Sequence, residues 1–141
     1  MSAVNTGKVL VGGLLAGLVY NAFDIVTGMV LMGDEFRANA QRLGLDPAAM
    51  ESGSAMAVWI VIDFLLGLLV VWTYAAIRPR FGPGPKTAIL SALVPYFAIT
   101  LIMFGMTQGG MVTMSIWTKM TAISLITMSV GAVLGAWAYH E

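Results

Sequence analysis

Apolar residues in this chain run in four long blocks, roughly residues 8–32, 56–77, 87–106 and 112–138, each interrupted by few or no charges. A bilayer-crossing helix needs about 20 mostly apolar residues at about 1.5 Å of rise each, and all four blocks reach that length. The pattern predicts an all-α integral membrane protein, a single domain over residues 1–141 folded as a four-helix transmembrane bundle. The connection at 33–55 is long and polar. In it Asp34 can cap a helix whose Phe36, Ala40 and Leu43 share one face, Gly44 suits the position after its last turn, and Asp46-Pro47 restarts a second turn. A short amphipathic helix lying on the outer membrane surface is expected there.

The polar punctuation sets a direction. Between the second and third blocks, residues 78–86 carry Arg78, Arg80 and Lys86 and no acid, whereas the first connection sets Asp34, Glu35, Asp46 and Glu51 against Arg37 and Arg42. The positive-inside rule then puts both termini in the cytoplasm, with Arg78, Arg80 and Lys86 at the lipid headgroups. Gly82-Pro-Gly-Pro-Lys86-Thr87 looks superficially like a phosphate loop. It lacks the required spacing, and Pro83 and Pro85 have no N–H to offer a phosphate. The first block is too long for a signal peptide and has no clear small-x-small cleavage site, so it is expected to be a retained helix.

Small residues recur at helical spacing. Gly13, Gly17, Tyr20, Asn21, Asp24 and Gly28 fall on one face of the first helix, and Ser124, Thr127, Gly131 and Gly135 on one face of the fourth. Such stripes let helix backbones approach closely in lipid, so Asp24 is expected to be buried in protein, and the first and fourth helices to touch near the cytoplasmic end. The bundle is expected to be tight toward the cytoplasm and looser outside. Gly67 follows Asp63 by four residues as Gly28 follows Asp24, leaving room beside each carboxylate.

Asp24 and Asp63 are the chemically informative residues, because each sits inside a block that must cross the hydrocarbon. Both are expected in the outer half of the membrane, with Lys119 at comparable depth. One lysine cannot neutralise two aspartates, so a cluster of the three requires a further proton or cation, the logic of a proton- or cation-coupled site. Asn21, Tyr20 and Thr100 complete this candidate polar cluster. The simpler alternative has the aspartates hydrogen-bonding neighbouring helices and fixing their register, with Lys119 reaching outward to the headgroups along its four-carbon stem.

Composition narrows the chemistry. The chain is 59% hydrophobic and 10% charged, far from the soluble balance, and its seven basic and seven acidic residues cancel, which leaves no field to attract nucleic acid. It has no cysteine and its single histidine is His140, so thiolate sites, iron–sulfur clusters, intramembrane haem ligation and multi-histidine metal sites are excluded. No cofactor signature and no nucleophile–base pair is present, and no enzymatic activity is expected. Eleven methionines offer one soft alternative, a Cu(I) site from Met103, Met106, Met111 and Met114 near the outer helix ends. Methionine is also the adaptable filler of apolar cores.

In architecture alone the chain resembles small bacterial four-helix inner-membrane proteins. It is similar in size to small multidrug transporters, but its first helix carries Asp24 where theirs carries a functional glutamate, and no motif transfers residue by residue. The expectation is a multi-pass protein of the bacterial inner membrane, partnered by lipid and by other membrane polypeptides or further copies of itself. Its expected role is a non-catalytic accessory or scaffold subunit; the alternative is a small proton- or cation-coupled transporter or channel using Asp24 and Asp63.

Overall fold

In the computed structural model, which describes residues 4–139, the described residues form helices and no strands. Helix α1 spans Thr6–Val26 and continues as a π turn over Thr27–Leu31. Two short helices follow, α2 (Gly33–Arg42) and α3 (Pro47–Met50), then the long helices α4 (Gly53–Phe81), α5 (Pro85–Gln108) and α6 (Met114–Ala138). Four of these, counting α1 with its π turn, are long and apolar enough to cross a membrane.

The helix starts follow local chemistry. Asn5 Oδ1 accepts from Lys8 N at 3.1 Å, Ser52 Oγ from Ala55 N at 3.4 Å and Thr113 Oγ1 from Ile116 N at 3.2 Å, each satisfying an N–H that the helix itself cannot pair. Helix α5 begins at Pro85, whose fixed φ suits a first turn. The α4–α5 turn needs φ of 82° at Gly82 and 126° at Gly84, a region that side-chain-bearing residues avoid. Helix α4 runs through Pro79 to Phe81, four residues beyond the block at 56–77. A proline in a last turn removes one backbone bond only, and Gly82 N closes the end on Arg78 O at 2.8 Å. Arg78 and Arg80 therefore sit on a helix rather than in a loop.

The long helices close into a ring in which α1 packs on α4 and α6, and α5 on α4 and α6. Glycine makes the α1 contacts possible. A Cβ at Gly13 would stand 2.7 Å from Leu68 Cα, one at Gly17 2.7 Å from Phe64 Cα, and one at Gly67 2.5 Å from Gly17 N. Gly13 and Gly17 thus seat α4, not α6 as the stripe pattern suggested. The α6 contact uses Gly12, one residue and about 100° around the helix. A Cβ there would lie 2.5 Å from Gly135 O, and Gly131 meets the Tyr20 ring. Gly28 differs again: a Cβ there meets nothing within 4 Å, so it brings no neighbouring helix close.

That looseness is systematic. The buried cluster of Val9, Ala16, Tyr20, Val70, Val71, Tyr74, Ala88, Ala132 and Tyr139 fills the half of the bundle that holds both chain ends. Here Asn5 N donates to Tyr139 Oη at 3.2 Å, Gly84 N to Tyr74 Oη at 3.2 Å, and the two tyrosine rings meet edge to face at 6.0 Å. Toward the opposite, α2 end, Val58, Trp59, Ile60, Val61 and Ile62 are exposed in succession, so at that height no face of α4 is fully packed. Gly67→Ala should lower stability to unfolding in detergent by about 1–3 kcal/mol, because backbone rather than a flexible side chain must yield. Gly28→Ala should leave it within about 0.5 kcal/mol of the parent, both read from denaturant titrations.

Candidate functional site

The α1–α4 seam carries the intramembrane polar residues. Asp24 lies seven residues before the end of its span at Leu31, about 10 Å along a helix, and Asp63 lies ten residues after Gly53. The antiparallel pairing brings the two carboxyls within hydrogen-bonding reach of each other. Their surroundings differ. Asp63 is buried, at 6% exposure, whereas Asp24 is exposed at the surface of the chain. The burial expected for Asp24 is therefore not found, although Tyr20, Asn21 and, three residues further on, Thr27 are buried.

Tyr20 and Asn21 line the buried side of the pair, but neither serves it with a hydrogen bond. Tyr20 Oη donates to Met128 O on α6 at 3.3 Å, and Asn21 Nδ2 donates to Gly17 O at 2.9 Å and to Ile60 O at 3.4 Å. Among the described residues no backbone N–H and no tyrosine, amide or hydroxyl side chain donates to the Asp63 carboxyl. Two carboxyl groups have only acceptor oxygens when ionised, so their contact holds only with a proton or a cation between them.

Lys119 does not join this cluster. Its Nζ is bonded to Glu35 Oε1 on α2, because Lys119 lies off the small-residue stripe of α6 and its long stem reaches toward the α2 end. Thr100 stands apart as well: its carbonyl accepts from Trp117 Nε1 at 3.0 Å within the α5–α6 contact. The candidate cluster therefore separates into an aspartate seam with Tyr20 and Asn21, and a second group around α2.

That second group ties α2 to the α5–α6 turn. Arg42 Nη2 donates to Gly110 O at 2.7 Å, Asn39 Nδ2 to Met111 O at 3.1 Å, and Ala40 is buried at 2% exposure. Arg37 bridges Asp34 at 2.9 Å and Glu51 at 2.7 Å. The Glu51 carboxylate, followed by Asp34, holds the Arg37 guanidinium above its ordinary pKa. No sequence pattern pairs Glu35 with Lys119 across 84 residues, and the bridge leaves Glu35 Oε2 buried without a partner.

At the other end Arg78 lies 5.8 Å from the Tyr139 ring centre and Arg80 6.0 Å from that of Phe81, while Lys86 is exposed on the first turn of α5. A cleft of about 390 Å³ opens there between Tyr74, Arg78, the Pro83–Pro85 turn and Trp137. Met106, Met111 and Met114 are exposed and Met103 half-buried around the α5–α6 turn. Among the described residues no three of His, Cys, Asp and Glu gather where they would hold a metal. No known family, curated protein or solved structure matches the chain.

Asp63→Asn faces Asp24 with an amide N–H at every pH, where the two carboxyls must share a proton. It should raise stability to unfolding at neutral pH by about 1 kcal/mol, read from denaturant titrations against the parent protein. Glu35→Gln and Lys119→Gln in a double-mutant cycle should show a coupling of about 0.2–1 kcal/mol that shrinks with salt, since the Lys119 and Glu35 side chains are 53% and 34% exposed.

Proposed function

We propose that this protein is a non-catalytic subunit of a larger assembly in a bacterial inner membrane, with both termini in the cytoplasm and α2 on the outer side. The orientation rests on Lys8, Arg78, Arg80 and Lys86 at the end that holds both termini. In this frame α2 is an outer-surface strap on the bundle.

One observation carries the subunit reading. Asp24 is exposed at the surface of the chain, inside a span, with another acid as its neighbour. Facing hydrocarbon, an ionised aspartate costs about 2.5–3.5 kcal/mol on insertion scales, and covering it with protein removes much of that cost. The unpacked half of α4 beside it supplies apolar surface for the same contact.

A second reading is supported by the carboxyl contact itself. A pair that needs a proton or cation between its oxygens suits proton- or cation-coupled transport, with Asp24 as the accessible member and Asp63 as the buried one. Gentle extraction from the native membrane followed by native mass spectrometry separates the two. The subunit reading expects a particle of defined mass containing other polypeptides, whereas copies of this chain alone would overturn it and favour transport.

A further inference from the structure

The exposed face around Asp24 has a definite chemistry. Asp63 is buried, at 6% exposure, and its one side-chain hydrogen-bond partner is the carboxyl of Asp24. Two acids thus converge on one opening of the α1–α4 seam, and no basic side chain of the described residues stands with them. Four residues beyond Asp24, in the π turn, Gly28 has open space where a side chain would stand, so another helix can approach the backbone closely there.

The chain's own cations do not reach this acid pair. Of its seven lysines and arginines, Lys8, Arg78, Arg80 and Lys86 belong to the opposite end. The three near the α2 end are engaged: Arg37 with Asp34 and Glu51, Arg42 with Asn39 and Gly110 O, Lys119 with Glu35. A second copy in the same orientation therefore brings two more acids to this face and no unengaged base.

We infer that the Asp24–Asp63 seam docks a transmembrane helix of a different polypeptide, one that presents a lysine or arginine at the depth of Asp24. The inference rests on the subunit reading and specifies its partner. An ammonium or guanidinium between the two carboxyls satisfies both acids while its own desolvation is offset by two partners, and Gly28 receives the backbone of the incoming helix.

The test uses the full-length protein in lipid vesicles with two labelled leucine-rich transmembrane peptides, one carrying a single lysine at the depth of Asp24 and one carrying methionine there. Energy transfer should show the lysine peptide binding about tenfold more tightly than the methionine peptide. That preference should vanish in an Asp24→Asn, Asp63→Asn double variant. Equal binding of the two peptides, or a preference that survives in the double variant, overturns the inference. A cysteine-free chain permits one further check: Gly28→Cys should not form a disulfide dimer in membranes under oxidation, and efficient dimerisation would mean that a second copy occupies the face. Native particles distinguish the levels of failure. Other polypeptides that remain bound to the double variant leave the subunit reading standing and sink this inference, whereas a parent protein that carries no other polypeptide sinks the subunit reading itself.

Discussion

Everything in this bundle depends on how closely α1 can approach its two neighbours. Lipid tails are as apolar as the helix faces, so burial gives little drive and association rests on close packing. Gly12, Gly13 and Gly17 let α1 seat α4 on one side and α6 on the other, with Gly67 and Gly135 giving way from the opposite helices. Tyr20 then fills the space over Gly131 and hydrogen-bonds to α6. The ring of helices follows from this doubly contacted first helix.

The same interlock explains where polar groups are tolerated. Its last glycine contact sets Gly17 against Asp63 O and Phe64, and toward the α2 end Val58 to Ile62 of α4 are exposed in succession. Asp63 stays inside at that glycine contact, while Asp24, nearer the end of its span, is exposed. The π turn that follows lets the chain turn into α2 without a break in backbone bonding, as Met32 N closes on Thr27 O at 2.8 Å. Order near the α2 end comes instead from polar ties between α2 and the α5–α6 turn.

Much of the fold was legible because span length and apolarity are properties of the residues themselves. The four long helices, the glycine stripes and the tightness of one half all stand in the sequence. Which neighbour a stripe serves does not. Gly12 and Gly13 differ by one position and face different helices, a distinction set by crossing geometry rather than by spacing. Gly28 keeps the period, yet a side chain there would meet no neighbour within 4 Å. The aspartates were readable as a neighbouring pair from their depth, but not their unequal burial. The partnership of Lys119 with Glu35 depends on where a flexible connection folds back, which no helical period encodes.

The contact between Asn5 and Tyr139 joins residues 134 apart in sequence. Together with Gly12 against Gly135 and Tyr20 against Met128, it means that one side of α1 finds its complement only in the last helix. During synthesis α1 and α4 can form a hairpin through Gly13, Gly17 and Gly67 as soon as α4 is inserted. The other side of α1, with the Tyr20 hydroxyl, stays without its native neighbour until α6 enters the bilayer. Biogenesis of this small protein therefore has a waiting stage, in which a half-assembled hairpin must be sheltered from wrong helix contacts while the rest of the chain is translated.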